Sequence, residues 1–141
     1  MKNIFVLGAG RSSTALIEYL MMEKTSFNII IGEKEPRIAE RKFPSAKIIS
    51  FDILDTAVAR DQLKTADLVI SMLPPTLHLP VAVICADLGI SMLTASYVSD
   101  EIQKLSPSFE SKGVCCIMEM GLDPGIDHMS AMRVLDRIKS A

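Results

Sequence analysis

The stretch Gly8-Ala9-Gly10-Arg11-Ser12-Ser13 follows a short apolar run and precedes an amphipathic one. Two glycines so spaced between a strand and a helix suit a pyrophosphate. The first makes a tight turn and the second leaves the backbone bare. The helix N-terminus behind them offers N–H groups and a favourable dipole to an anion. Ser13 takes the third position, where a small residue lets helix and strand pack closely. Gly8, Gly10, Arg11, Ser12 and Ser13 are therefore candidates for holding a dinucleotide, the alternative being a purely structural turn.

Glu33 follows Ser13 by the roughly 20 residues after which this fingerprint places an acid. A carboxylate there accepts from the adenosine 2′-hydroxyl and repels a 2′-phosphate, which favours NAD over NADP. Lys34 and Arg37 lie close enough in sequence to pair with a 2′-phosphate, and a solvated charge at a strand end is the plain alternative. Asp52 closes the third apolar run, either to face an adenine or to shape a turn. Leu73, Pro74 and Pro75 close the fourth, and Leu73 and Pro74 join the cofactor candidates. The prolines fix a loop there without needing N–H partners. His78 is either a titrating group facing the crevice or an ordinary loop histidine.

Two stretches are denser in ligand-bonding groups: Thr94-Ala95-Ser96-Tyr97-Val98-Ser99, and Glu119 through His128 with Asp123-Pro124-Gly125 inside it. Alone, Asp-Pro-Gly is an ordinary turn and Asp127 an ordinary helix N-cap. No His or Cys spacing reads as a metal site.

These residues need elements to carry them. Apolar runs at Ile4–Leu7, Phe27–Ile31, Lys47–Phe51, Leu68–Leu73, Ser91–Ala95 and Val114–Met118 read as strands covered on both faces. Between them, helical spacing covers Ser12–Glu23, Pro36–Arg41, Thr56–Lys64 capped by Asp55, Pro80–Leu88 stopped by Gly89, and Asp100–Lys112 with a break or kink at Pro107. Asp127–Ser140 closes the chain, with Met129, Met132, Leu135 and Ile138 on one face. Strand and helix alternate, which implies an α/β fold: a doubly wound parallel sheet of six strands, one domain over residues 1–141.

Composition agrees. Of 141 residues, 49% are apolar and 23% charged, so the chain is not of the disordered class. Lys plus Arg number 15 and Asp plus Glu 17, a net charge of −2, which leaves no basic footprint for nucleic acid. Trp is absent and aromatics make up 5%, which disfavours a base-stacking surface. Cys85, Cys115 and Cys116 are expected as buried, reduced thiols of a cytoplasmic protein. Lys2 precedes too short an apolar run for a leader peptide. Leu68–Ala86 carries no charged residue, yet its three prolines and polar residues make it strand, loop and helix rather than a membrane span.

The amino-terminal Val-Leu-Gly-Ala-Gly, the Asp-Leu-Val-Ile-Ser-Met-Leu-Pro segment with His78 after it, Thr-Ala-Ser-Tyr-Val-Ser, and Gly-Leu-Asp-Pro-Gly-Ile-Asp-His carry a resemblance. Over essentially its whole length the chain resembles the nucleotide-binding part of saccharopine dehydrogenase of the L-glutamate-forming kind. The last two motifs are the most diagnostic, since generic dinucleotide-binding domains lack them.

The resemblance implies hydride transfer between NAD or NADP and the CH–NH group of saccharopine, in lysine metabolism. It implies that Ser96, Tyr97 and Asp123 lie near the nicotinamide and the substrate carboxylates, and it assigns no general acid or base. Glu33 stands where NADP-using members carry a basic or neutral group, and Pro75 replaces an expected aromatic. A substrate domain is expected to follow the last helix, and the chain by itself to be inactive. The exposed apolar stripe of that helix is expected to pair with a second copy. The expected partners are thus a small amino-acid substrate and a homo-oligomer, without nucleic acid or membrane. A stand-alone module that senses NAD(P) for a partner is the other reading. It would use the same glycine loop and Glu33, but would not need the motif ending at His128.

Overall fold

The computed structural model describes residues 1–22 and 27–140. Glu23, the expected end of the first helix, lies outside them. Six parallel strands form one sheet in the order β3-β2-β1-β4-β5-β6. They are β1 (Lys2–Leu7), β2 (Phe27–Glu33), β3 (Lys47–Ser50), β4 (Leu68–Ser71), β5 (Ser91–Thr94) and β6 (Cys116–Ile117). The helices are α1 (Thr14–Met22), α2 (Pro36–Lys42), α3 (Thr56–Leu63), α4 (His78–Leu88), α5 (Asp100–Gln103), α6 (Ser106–Ser111) and α7 (Ile126–Lys139). This is the doubly wound arrangement expected, with the strand order reversing between β1 and β4. In a sheet of this order the ligand crevice is expected there, outside the carboxyl ends of the strands.

The central strands are buried on both faces, as their unbroken apolar runs require. Phe5, Leu7, Ile30, Val69 and Met92 face one way and pack with α3 and α4 through Ala59, Leu63, Val81 and Cys85. Ile4, Val6, Ile29, Ile31 and Ile70 face the other and pack with Ile17 of α1 and Ala39 of α2. Truncating a residue such as Ile17 to alanine costs about 2–5 kcal/mol.

The break expected at Pro107 is present: residues 100–112 form two helices, and Pro107, which has no N–H to continue the first, sits in the opening turn of α6. The structure departs from the sequence reading at several ends. Helix α4 begins at His78, two residues earlier than Pro80, after a 3₁₀ turn over Pro75–Leu77. Its proline sits in the first turn, where a missing N–H costs nothing. Helix α7 begins at Ile126 behind Gly125, so Asp127 lies inside it. The Asp127 carboxylate reaches back to accept from Gly125 N–H at 2.9 Å. Strand β6 is only two residues long and sits at the sheet edge, which leaves Cys115 exposed rather than buried. Cys85 is buried, and burial pushes its thiol up to about 12, far from a reactive thiolate. Asp55 caps α3 as expected, accepting from Val58 N–H. The apolar stripe of α7 is exposed at Met129, Met132, Leu135 and Ile138. Among the described residues no helix is long and apolar enough to cross a membrane.

Candidate functional site: the crevice at the carboxyl edge of the sheet

Gly8 sits where three strands converge. Its N–H donates to the Gly32 carbonyl of β2 at 2.8 Å, and Met72 N–H, beyond β4, donates to Leu7 at 2.8 Å. Its φ is +96°, and a Cβ would stand 3.0 Å from the Met72 carbonyl and 3.5 Å from Leu73. Only glycine serves at such a position. Gly10 is different. It has no left-handed φ, and a Cβ there would meet nothing within 4 Å. Among the described residues nothing demands a glycine at Gly10. The bare backbone faces open space, as a pyrophosphate cradle would require. Ser13 is buried and donates its hydroxyl to the Gly10 carbonyl at 3.1 Å, which ties the loop to the start of α1. Arg11 and Ser12 are exposed on the loop.

Glu33, at the end of β2, folds over this loop. One carboxylate oxygen accepts from Ala9 N–H at 2.7 Å and the other from Lys34 N–H at 2.9 Å. The acid therefore stands against the glycine loop, where the adenosine ribose of a dinucleotide lies in this fold. Lys42 grips the same loop from α2, donating to the Ala9 carbonyl at 2.8 Å and to Gly10 at 3.3 Å. Sequence reasoning missed Lys42, because a basic residue in the last turn of a helix is an ordinary dipole partner.

Asp52 accepts from Leu54 N–H at 3.0 Å, which is the turn role, and pairs with Lys34 at 2.8 Å. The Lys34 hydrogen bond, then that of the Leu54 amide, holds the Asp52 carboxyl below its ordinary value, and Asp52 in turn raises the Lys34 ammonium. Arg37 is exposed nearby on α2. Leu73 and the exposed Pro74 form the lip of the crevice beyond β4.

The other half of the crevice is built from side chains. His78 is not a loop residue: it is the first residue of α4 and only 2% exposed. Its Nδ1 lies 2.9 Å from Ser71 Oγ at the end of β4. Its Nε2 lies 2.7 Å from Ser96 Oγ and 3.2 Å from Thr94 Oγ1 at the end of β5. Burial lowers its pKa, so the ring is held neutral.

Backbone bonds from Glu119 to Ser96 (3.0 Å) and from Met120 to Thr94 (3.1 Å) bring the segment after β6 against the segment after β5. The two diagnostic motifs therefore meet. Tyr97 Oη donates to Asp123 Oδ1 at 2.6 Å, and the ring of His128 stands edge-on to the Tyr97 ring with centroids 6.3 Å apart. The Asp123 hydrogen bond is the main reason that the Tyr97 phenol is pushed up to about 12. Gly125 lets the loop close: its φ is +144°, and a Cβ would collide with the Gly121 carbonyl. Of the three residues expected near a substrate, Tyr97 and Asp123 are joined directly, and Ser96 turns its hydroxyl inward to His78.

A family model described as the saccharopine dehydrogenase NADP binding domain matches residues 4–117. The chain belongs to this family. It is 36% identical, over 98% of its length, to the mitochondrial alpha-aminoadipic semialdehyde synthase of Bos taurus, of which it covers 15%. It is 31% identical, over its whole length, to the saccharopine dehydrogenase [NADP(+), L-glutamate-forming] of Schizosaccharomyces pombe, of which it covers 32%. Among solved structures, the apo L-Glu-forming saccharopine dehydrogenase of Saccharomyces cerevisiae superposes with a TM-score of 0.91 at 29% identity, over all of this chain and 32% of that one. The chain thus spans about a third of the length of the fungal dehydrogenases and a smaller part of the synthase. As a saccharopine dehydrogenase NADP-binding domain, it is an oxidoreductase-family domain of the Rossmann type. The open backbone at Gly10, the turn at Gly8 and the acid on the loop fit the adenosine and pyrophosphate of such a cofactor.

Proposed function

We propose that this chain is the cofactor half of a saccharopine dehydrogenase-type enzyme. The observation that carries the reading is the glycine loop at the β1–β4 reversal, open above Gly10 and bounded by the Glu33 carboxylate. When bound, the nicotinamide supplies the hydride acceptor or donor for the CH–NH bond of the substrate. The chain's own part is binding and orientation. The Gly8–Ser13 loop and the start of α1 receive the pyrophosphate, and Glu33 receives the ribose hydroxyls. Tyr97 and Asp123, fixed on one another across two loops, form one wall for an amino-acid substrate. A phenol raised to about 12 by an acidic partner keeps its proton at neutral pH, so Tyr97 presents a neutral ring and hydroxyl there. The tie between the segments after β5 and β6 favours an enzyme over a nucleotide sensor, which has no use for such a wall.

Within this reading NAD is preferred to NADP. A 2′-phosphate would approach the Glu33 carboxylate, and the adjacent cation, Lys34, already has Asp52 as its partner. The description of the matching family model points towards NADP. Side-by-side calorimetric titration with NAD(H) and NADP(H) tests both levels. Binding of neither removes the dinucleotide reading. Tighter binding of NADP(H) removes only the preference and makes Lys34 or Arg37 the reader of the phosphate.

A further inference from the structure

His78 is a buried polar side chain beside the crevice, only 2% exposed, and the cofactor chemistry described above does not use it. Its three hydroxyl partners come from the ends of two strands and from the loop beyond the second: Ser71, Thr94 and Ser96. Ser71 and Thr94 are buried, whereas Ser96 is half-buried at the mouth of the crevice. A neutral imidazole has one N–H and one lone pair. In either tautomer one ring nitrogen bonds Ser71 and the other bonds Ser96. The Ser96 hydroxyl, which on a loop would rotate freely, is therefore pinned at 2.7 Å. Its position is fixed twice more, by its own N–H on Thr94 Oγ1 and by Glu119 N–H on its carbonyl.

Position in the fold says what such a hydroxyl is for. In a doubly wound sheet the two mononucleotides of a dinucleotide lie over the two halves. The glycine loop and Glu33 assign the adenosine side to β1–β3. The second nucleotide then lies over the ends of β4–β6, where Ser96 stands. We propose that His78 is a positioning residue: from its buried seat it holds the Ser96 hydroxyl as a hydrogen-bonding group for the nicotinamide half of the cofactor. The inference rests on the dinucleotide reading above and deepens it.

The test compares two ligands on the same chain by calorimetry. NADH carries both halves, and ADP-ribose carries everything except the nicotinamide. NADPH and 2′-phospho-ADP-ribose replace them if that pair binds more tightly. Ser96→Ala removes the hydroxyl and leaves His78 in place. His78→Phe keeps the ring and removes its nitrogens, and His78→Gln returns an amide at about the reach of Nε2.

Ser96→Ala and His78→Phe are expected to weaken the nicotinamide-bearing ligand about five- to tenfold, the scale of one hydrogen bond. The ADP-ribose affinity should stay within about twofold, and His78→Gln should recover part of the loss. Equal weakening of both ligands by His78→Phe would mean a purely structural imidazole. Unchanged discrimination in Ser96→Ala overturns the proposal even if His78→Phe does not fold. Failure of the wild-type chain to bind either ligand removes the dinucleotide reading, and this inference with it.

Discussion

Over β1–β3 the crevice is made of backbone: a turn that only glycine can make, a second glycine with open space above it, and one carboxylate and one ammonium clasping the peptide groups of the loop. Over β4–β6 it is made of side chains that hold one another, His78 on three hydroxyls and Tyr97 on Asp123. On the proposed reading, the glycine loop of the first half receives the pyrophosphate that all dinucleotides share. On the same reading the second half meets the nicotinamide and the substrate, and its groups are bonded to one another before any ligand arrives. Preorganisation of that kind lowers the ordering cost of binding.

Two glycines in the same loop give the sharpest test of the first half. Gly10→Val should cost at least about 100-fold in affinity for NADH and for ADP-ribose alike, about 2.7 kcal/mol, because the side chain fills the cradle. The melting temperature should barely move, since among the described residues nothing beyond the loop neighbours stands within 4 Å of the new Cβ. Gly8→Ala should do the reverse in stability. Its φ of +96° and the Met72 carbonyl at 3.0 Å force strain of about 1 kcal/mol or more, visible as a lower melting temperature before any ligand is added. Equal thermal shifts in the two variants would contradict the distinction.

How much could be read from the residues follows the same division. The glycine loop and Glu33 are local in sequence or set at a known interval, so spacing identifies them. The sheet was legible because its strands are unbroken apolar runs such as Phe27–Ile31, which only a covered parallel sheet accommodates. His78 was singled out but its partners were not legible, because they lie 7, 16 and 18 residues away and meet it only when β4, α4 and β5 pack. Lys42 was hidden for the same reason: its carbonyl partners are 32 and 33 residues distant. Tyr97 and Asp123 were reached through resemblance, and their direct bond appeared only in the structure. The helix ends at His78 and Ile126 were misplaced because a 3₁₀ turn and a glycine cap leave little trace in periodicity.

Within the β1–β3 half, Glu33 carries the selectivity expected between NAD and NADP, and its effect should be smaller than that of Gly10. Glu33→Ser removes the group expected to bond the ribose hydroxyls and the charge opposing a 2′-phosphate. It should narrow the preference for NADH over NADPH by about 1–2 kcal/mol, roughly tenfold. The Ala9 N–H also loses its acceptor, so both ligands should weaken somewhat while their ratio changes. A ratio that stays constant would place Glu33 on the loop as a strut only.

The smallest expected effect lies at Tyr97 and is read by titration rather than affinity. Its phenol is raised above 10.0 to about 12, first by the hydrogen bond to Asp123 and then by burial and neighbouring carboxylates. The sign follows from the protons bound. Below pH 10 both folded and unfolded chains hold the phenol proton, and the stabilising contribution of the pair is complete. Between pH 10 and 12 the unfolded chain gives up the proton first, so that contribution falls as the pH rises and is gone above the folded value. Asp123→Asn removes the negative charge and should move the Tyr97 transition back towards 10, seen as earlier tyrosinate absorbance. Because the pair stands in the side-chain half of the crevice and at its rim, ADP-ribose affinity should be untouched in the same variant. A Tyr97 transition that stays near 12 in Asp123→Asn would mean that burial and the remaining carboxylates, and not the Asp123 bond, hold the proton. The wall proposed for the substrate would then lose the contact that defines it.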